Sequence, residues 1–518
     1  MALDWLGGGK IDHPMADPKR AREIVAELPA GDSAKALAEI TYWLDSINQT
    51  GEFKLNQRFE NIDLLDGAVR NHLRKLSQDY LAMPRQLKFQ ENRLWNGIFG
   101  FWRQLGDGYL QCLKQYEEGL IGMTIVRKSL PVIVARVVRA LAFQLKWKLL
   151  RYGPVEPRIW LELAQVYSIA EQRGFADGVT AVYPGALGGS TVKREFLTAM
   201  MFSASSPEGL PPLRQEIAER TAAHLASGFR ISTRPDGCTH CVDLASPGPP
   251  VRMFKGVEPK ATLRFLGAGK GLAELNQLIG KVQETGTVPQ DVNLGGGHGK
   301  DDVIGAFRHL AQYWSDQPPA RGSERRKIAG RITVVPGLKD VLRTLDPSDD
   351  DTLDFSLSQP AGSGESWIVE DVSDGGYGAI IPTVKSDWIR VGTLVGVQSE
   401  ASKYWGVGLI RRIVRDEKEQ RHVGIQLLST TAIPVKIALS QTLSFTDADR
   451  ETERAILLST GPDSRGEIGV VMRGGLFNGR DSLDMTVRDK SFLLVPVSLV
   501  EGGDDFDWAK FKIKQRAG

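Results

Sequence analysis

The stretch Trp367-Ile-Val-Glu-Asp-Val-Ser-Asp-Gly-Gly-Tyr-Gly-Ala-Ile-Ile381 decides the fold of the second half of the chain. Apolar and β-branched residues fill both of its ends, and the polar Ser373-Asp-Gly-Gly376 lies between them. Because β-branched runs favour extended backbone and Gly-rich polar clusters favour turns, the stretch predicts two short strands separated by a turn.

Further short β runs lie on both sides of this stretch. They are Ile332–Val335, Leu394–Gln398, Gly406–Arg415 and Val423–Leu428, with acidic turns such as Pro347-Ser-Asp-Asp-Asp351 and Arg415-Asp-Glu-Lys-Glu. Short strands at this spacing are typical of an antiparallel barrel or sandwich. The tail continues with runs at Ile456–Leu458, Ile468–Met472 and Leu493–Val497 and a turn at Asn478-Gly479. It is either a second small β module or an extension of the first.

The first half of the chain has helical periodicity. Apolar residues recur every three or four positions in two clear sets, Leu37, Ile40, Leu44, Ile47 and Val69, Leu73, Leu76, Tyr80. A longer helical stretch runs from Gly122 to Leu150. Trp160-x-x-Leu163-x-x-x-Tyr167 has the spacing of a first tetratricopeptide helix, but no repeat of 34 residues accompanies it, which favours one ordinary amphipathic helix.

We therefore expect a multidomain α+β protein with a mainly helical N-terminal half and an antiparallel β-barrel in the C-terminal half, followed by an additional β segment. The predicted parts are a helical domain at 1–200, a mixed helical and loop subdomain at 201–317, a barrel at 318–435 and a C-terminal β segment at 436–518. Within the second part, helices are expected around Arg214–Ser227, Leu263–Glu284 and Asp301–Trp314.

Composition sets limits on partners and location. The 518 residues carry 65 Lys and Arg against 63 Asp and Glu, a net charge of +2, which gives no overall electrostatic case for a nucleic acid polymer. Three cysteines cannot form a disulfide framework in so long a chain. The N-terminus lacks a secretory signal, and Arg136 and Arg139 interrupt the most apolar segment, so we expect no transmembrane segment and a cytoplasmic protein.

Two polar motifs distinguish the β half. The first is Arg321-Gly-Ser-Glu-Arg-Arg-Lys-Ile-Ala-Gly-Arg331, and the second is Asp371-Val-Ser-Asp-Gly-Gly376, directly after a strand. The pair resembles the signature of the bacterial PilZ domain family, RxxxR followed by [D/N]xSxxG. Tyr404–Arg412 and Val423–Leu427 are similar to the strand pair that closes that family's barrel. The resemblance covers about 115 residues, from Arg321 to Val435.

The resemblance implies a receptor for cyclic di-GMP that needs no cofactor. Its predicted ligand-binding residues are Arg321, Arg325, Arg326, Arg331, Asp371, Ser373 and Gly376. Arginine forks can bind phosphate oxygens and guanine O6 and N7, and a carboxylate can accept from guanine N1 and N2. Ser373 adds a hydroxyl, and Gly376 permits close backbone approach.

The arginine spacing departs from the family pattern. Arg321 and Arg325 fit RxxxR, whereas Arg326 and Arg331 are separated by four residues, and Lys327 replaces the first arginine in the remaining register. Lysine lacks the planar fork of arginine, so the register affects ligand affinity. The alternative is that these charges form a solvated linker.

No enzymatic or metal site is expected. Cys238-x-His240-Cys241 resembles half of a zinc site without a second pair, Gly267–Lys270 and Gly297–Lys300 lack the Ser or Thr of a phosphate loop, and there is no HExxH or GxSxG. The expected function is a receptor that couples cyclic di-GMP to an unidentified protein partner through the helical region. By the resemblance, the output is motility, pilus function, adhesion or exopolysaccharide production. The alternative is a PilZ-fold scaffold that binds protein and not nucleotide.

Overall fold

The computed structural model describes residues 11–84, 87–183, 189–253, 257–317, 324–346, 364–382, 388–440, 452–487 and 490–515. The chain divides into two compact units, Met1–Pro319 and Ala320–Gly518. Arg321 and the predicted turn at Pro347–Asp351 lie outside the described residues.

The first unit is mainly helical, as predicted. Its helices are α1 (Pro18–Ala26), α2 (Ser33–Gln49), α3 (Leu55–Ala82), α4 (Lys88–Glu117), α5 (Met123–Val126), α6 (Leu130–Leu149), α7 (Pro157–Gln172), α8 (Val192–Ala204), α9 (Pro212–Leu225), α10 (Lys270–Thr285) and α11 (Lys300–Trp314). Short 3₁₀ turns occupy Pro14–Ala16, Arg127–Ser129, Pro207–Gly209 and Ala226–Gly228. One continuous apolar core runs through these helices.

Periodicity and capping explain the helices. Helix α2 begins where the Asp32 carboxylate accepts from the backbone N–H groups of Ala34 and Lys35, at 3.1 and 3.0 Å. Its predicted apolar face is fully enclosed in the core, and Leu37 and Ile40 belong to it. The tetratricopeptide-like spacing lies in α7, where Trp160, Leu163 and Tyr167 are buried on one face.

The charges in the apolar helix α6 are paired inside the first unit. Arg136 is buried against Asp63, and Lys146 lies 2.8 Å from Glu216. Since a buried charge needs a partner, these pairs explain how Arg and Lys are accommodated in an apolar segment. In the part of the chain that the structure describes, no helix has the length and apolarity needed to cross a bilayer.

A small sheet sits beside the helices, with strand order β1-β4-β2-β3. Its strands are β1 (Arg230–Ser232), β2 (His240–Asp243), β3 (Val251–Arg252) and β4 (Leu263–Gly267). The expectation of a helix from Leu263 to Glu284 was wrong for the first seven residues, because Leu263–Gly267 form β4 and α10 begins at Lys270. Phe265 and Leu266 are buried in the β4 ladder, and Gly269, with φ of +50°, separates that strand from α10.

The second unit contains two closed antiparallel barrels. The first has strand order β10-β7-β6-β5-β8-β9. Its strands are β5 (Arg331–Pro336), β6 (Glu365–Ser373), β7 (Gly376–Ile381), β8 (Leu394–Ser399), β9 (Gly406–Arg415) and β10 (Arg421–Ser429). All six correspond to the predicted β runs, which confirms the barrel.

The tail forms the second barrel, with strand order β11-β12-β13-β16-β15-β14. Its strands are β11 (Ile433–Leu439), β12 (Glu453–Leu457), β13 (Glu467–Arg473), β14 (Leu483–Val487), β15 (Lys490–Gly502) and β16 (Phe506–Gln515). The sequence reading missed β11, β14 and β16. The predicted turn at Asn478-Gly479 lies in the connection between β13 and β14.

A helix that the sequence reading also missed joins the two barrels. Helix α12 (Gly337–Leu345) follows β5, and its Leu338, Val341 and Leu342 share a buried apolar cluster with residues of both barrels. Its first turn is capped from the second barrel, because Asp505 Oδ2 accepts from the Leu338 N–H at 2.6 Å. The two barrels are therefore packed together inside this unit.

Candidate functional site

The outer face of the first barrel is defined by strand alternation. Inward side chains of β6, β7 and β10 are buried, as for Val369, Ala379 and Val423. Residues between them point outward, because successive side chains of a strand alternate between its two faces. The predicted [D/N]xSxxG motif lies at the hairpin that joins β6 to β7, where Ser373 is directly opposite Gly376.

A bulge in β6 changes the direction of the residues that precede the motif. Val369 is opposite Ala379 and Asp371 is opposite Gly378, so Glu370 is an extra residue in β6. Bulges re-aim side chains at the point where the ladder is interrupted. Here the bulge places Asp371 on the outer face beside Gly378.

The described end of the arginine segment lies along β6. Arg326 and Val372 exchange two backbone hydrogen bonds of 2.8 and 2.9 Å, and the Val369 N–H donates to the Gly330 carbonyl at 3.0 Å. Residues 324–330 therefore continue the line of β5 past the motif. This places the two predicted motifs side by side, although 46 positions separate Arg325 from Asp371.

An ion pair joins the two motifs. Arg325 Nη1 donates to Asp371 Oδ2 at 3.0 Å and lies 2.9 Å from Oδ1. Only the Oδ2 contact has hydrogen-bond geometry, and Oδ1 makes no hydrogen bond with the described residues. The Arg325 side chain is 38% exposed and the Asp371 side chain 27%, so both remain within reach of a ligand.

Two glycines of β7 have steric reasons to be glycine. A Cβ at Gly376 would lie 1.9 Å from the Ile425 carbonyl oxygen, which excludes any side chain there. A Cβ at Gly378 would lie 2.7 Å from Asp371 Oδ1, so this glycine makes room for the carboxylate. The close approach of Gly376 is thus to strand β10.

The remaining predicted residues are placed as follows. Arg326, Ser373 and Gly376 lie next to the Arg325–Asp371 pair along β6 and β7. Arg331 begins β5, where its guanidinium donates to Ser366 Oγ at 3.2 Å and its N–H donates to Glu400 at 3.2 Å. Arg331 therefore contacts a different part of the barrel surface.

Sequence reasoning missed a second polar cluster on this outer face. His422 Nδ1 lies 2.9 Å from Glu370, the bulge residue, and His422 Nε2 lies 3.3 Å from Asp416. Burial alone would lower the pKa of His422, but the hydrogen bonds and charges of the two carboxylates raise the pKa above its ordinary value. No motif signals this cluster, because it depends on the bulge.

A second bulge connects the first barrel to the second. Gly424 is opposite Arg412 and Ile425 is opposite Ile410, so Arg411 is an extra residue in β9. Its guanidinium donates to Gln426 and to Glu501 of β15, both at 2.7 Å. Arg411 thus ties the outer face of the first barrel to the second barrel.

The other chemical signals of the sequence are ordinary structural features. His240 is buried and its pKa is lowered to about 4 by burial and by the charge of Arg252. Across the described ranges, no group of three or more His, Cys, Asp or Glu side chains is arranged to hold a metal ion. A cavity of about 270 Å³ in the first unit is lined by charges that pair with each other, Arg264 with Glu171 and Lys193 with Asp177.

Comparison with known families identifies both units. Residues 19–236 match the N-terminal domain of the cyclic-di-GMP receptor FimW, and residues 363–434 match the middle PilZ domain of the same receptor. Together the two matched ranges cover more than half of the chain. No curated protein matches the chain.

The barrel, its motifs and the matched PilZ domain define a cyclic di-GMP receptor, a class of binding proteins and not of enzymes. The chain belongs to the FimW family of cyclic-di-GMP receptors. The PilZ assignment and cyclic di-GMP as the ligand are therefore confirmed.

Proposed function

We propose that this cytoplasmic receptor binds cyclic di-GMP on the outer face of the first barrel, at Arg325, Arg326, Asp371 and Ser373. The ion pair between Arg325 and Asp371 carries this proposal, because it joins the two motifs that the resemblance assigns to the ligand. Arg321, by its motif spacing, adds a further cation. Among the predicted ligand-binding residues, Arg331 has the least support, because its guanidinium contacts Ser366.

The chemistry of the site suits the ligand. Cyclic di-GMP presents two phosphates and two guanines, and arginine forks bind phosphate oxygens and the guanine O6 and N7 atoms in bidentate fashion. The Asp371 carboxylate is partly exposed, accepts one hydrogen bond from Arg325 through Oδ2, and can accept further hydrogen bonds from guanine N1–H and N2–H. The site thus offers both cationic and acceptor groups within one hairpin and its flanking segment.

We further propose that ligand binding is communicated through residues 324–330. This segment leads from the helical unit into β5, and it carries Arg325 and Arg326. A ligand that competes for the Arg325 and Asp371 side chains changes how the segment is held against β6. A differential contact of this kind is the requirement for a ligand to shift a conformational equilibrium. The helical unit then presents a different surface to a protein partner, with motility, pilus, adhesion or exopolysaccharide output.

Calorimetric titration of cyclic di-GMP into the full chain tests the location of the site. Asp371→Ala and Arg325→Ala/Arg326→Ala are each expected to weaken binding by about tenfold or more, since each removes charge-assisted hydrogen bonds. Glu453→Ala is the matched control, because Glu453 forms a similar ion pair with Arg473 on the second barrel, at 2.6 Å. If both site variants bind cyclic di-GMP as tightly as the wild type, the proposed location of the site is wrong. Absence of binding by the wild type would favour a scaffold that binds protein alone.

A further inference from the structure

Four residues form one row across the outer face of the first barrel. Asp371 of β6 is opposite Gly378 of β7, Gly378 is opposite Gly424 of β10, and Gly424 is opposite Arg412 of β9. The row therefore begins with a carboxylate, crosses two glycines and ends with a guanidinium. Arg412 belongs to neither sequence motif.

The side chains at the two ends lie on the same face as the glycines. A Cβ at Gly378 would meet Asp371 Oδ1 at 2.7 Å, and a Cβ at Gly424 would meet the Arg412 Cβ at 3.6 Å. The neighbours Ala379, Val423 and Ile413 point into the barrel and are buried. Asp371 and Arg412 thus flank a floor of backbone on the outer surface.

The floor has the dimensions for a planar group. Three strand spacings separate the backbones of Asp371 and Arg412, or about 14 Å at the usual distance between neighbouring strands. The Asp371 carboxylate lies over Gly378, whereas Gly424 has no side chain above it, so the open part of the row is at Gly424. A purine ring can lie flat over Gly424, with its N1/N2 edge toward the Asp371 carboxylate and the adjacent O6/N7 edge within reach of the long Arg412 side chain.

Arg412 differs from the other arginines of β9. Arg411 is engaged by Gln426 and Glu501, and Arg415 lies 3.4 Å from Glu419. Arg412 is exposed and has neither an ion pair nor a hydrogen bond with any described residue. Its guanidinium is therefore available to a ligand on the glycine floor.

We propose that Arg412 determines the base specificity of the site: it donates to O6 and N7 of a guanine that lies on Gly424 and that donates from N1 and N2 to Asp371. This inference rests on the proposed location of the cyclic di-GMP site. The hydrogen-bonding groups on guanine match the row, with donors facing the carboxylate and acceptors facing the guanidinium. Adenine presents an amino donor where guanine has O6, so its N6 faces the Arg412 donors without an acceptor.

Comparative titration tests this assignment. Wild type, Arg412→Ala and Arg412→Lys are each titrated with cyclic di-GMP and with cyclic di-AMP. We expect Arg412→Ala to weaken cyclic di-GMP binding by about tenfold or more, since a bidentate contact to guanine contributes that much discrimination. Lysine restores the charge but not the fork and is expected to recover only part of the preference. Arg415→Ala, in the same strand, is the control and is expected to stay within about twofold of wild type.

A second variant tests the floor itself. Gly424→Ala places a methyl group at 3.6 Å from the Arg412 Cβ, an ordinary contact that leaves the fold intact. We expect its melting temperature to match the wild type while its affinity for cyclic di-GMP falls.

The outcomes separate two failures. If wild type binds cyclic di-GMP and Arg412→Ala binds it equally well, this assignment is overturned while the proposed site stands. If Arg412→Ala loses affinity for both cyclic dinucleotides in equal measure, Arg412 contacts phosphate and the specificity role is wrong. If wild type and Asp371→Ala are indistinguishable in affinity, the proposed location and this inference fall together.

Discussion

The two barrels of the second unit have the same closure but different outer faces. Both close with six antiparallel strands. In the first barrel, the Asp371 carboxylate lies over Gly378, and Gly424 leaves open backbone beside Arg412. In the second barrel, a Cβ at Gly469 would lie 3.0 Å from Leu458 Cδ1 and 3.4 Å from Trp508 Nε1, because side chains cover that glycine.

The two barrels also differ in what their exposed ion pairs connect. Arg473 and Glu453 pair on the neighbouring strands β13 and β12, so this pair strengthens a local ladder. Arg325 and Asp371 join a segment outside the named strands to the bulged strand β6. Closure of a barrel thus provides a scaffold, whereas the side chains on its outer face provide a binding site.

The largest expected loss of stability follows from replacing a glycine of the first barrel, compared with a glycine of the second. Gly376→Ala forces a Cβ to within 1.9 Å of the Ile425 carbonyl, so β7 and β10 must separate. We expect the free energy of unfolding to fall by about 3 kcal/mol or more, at the upper end of overpacking costs. Gly469→Ala meets the Leu458 and Trp508 side chains and no backbone atom among its three nearest neighbours, so it should cost about 1 kcal/mol. Urea denaturation of both variants measures the difference, and equal losses would contradict the steric distinction.

A smaller loss of stability is expected when the hydrogen bond between the second barrel and helix α12 is removed. Asp505→Ala removes the carboxylate that accepts from the Leu338 N–H, and we expect a loss of about 1 kcal/mol in unfolding free energy, as for other helix caps. Asp504→Ala is the adjacent control, because its side chain is 87% exposed and its pair with Arg390 is a surface contact. Urea denaturation compares the two variants. If they are equally stable, Asp505 does not cap α12.

The smallest expected effect is a pH dependence at His422. Because the pKa of His422 is raised in the folded state, protonated His422 stabilises the fold below its unfolded pKa. This contribution is lost as the pH rises through the folded pKa. His422→Gln should therefore cost more stability at about pH 5.5 than at about pH 8.5, because the contribution of the protonated imidazole declines as the pH rises. Thermal unfolding at both pH values measures this, and a cost that is greater at the higher pH would reverse the sign.

The sequence predicts the parts of this molecule that depend on local pattern. Apolar periodicity located the core face of α2, and short β-branched runs located all six strands of the first barrel. Prediction from the sequence failed where contacts between distant parts of the chain determine the secondary structure. Leu263–Gly267 is a strand because it pairs with β1 and β2, and β16 pairs with β13, which is more than 30 residues away in the chain, as well as with the adjacent β15.

The residues of the candidate site likewise fall into those that the sequence predicts and those that it does not. Asp371, Ser373 and Gly376 follow from a motif, and the arginines follow from their order before it. Arg412 and His422 do not, because their positions on the outer face depend on strand register and on the bulge at Glu370. A bulge shifts the face of every later residue in its strand relative to the partner, and no motif reports that shift.

The crystal structure of the full chain with cyclic di-GMP tests the central claim most directly. We predict ligand density on the outer face of the first barrel, between Arg325 and Arg412, with a guanine over Gly424 and its N1/N2 edge toward Asp371. Density on the second barrel, or in the helical unit away from Asp371, would contradict the account.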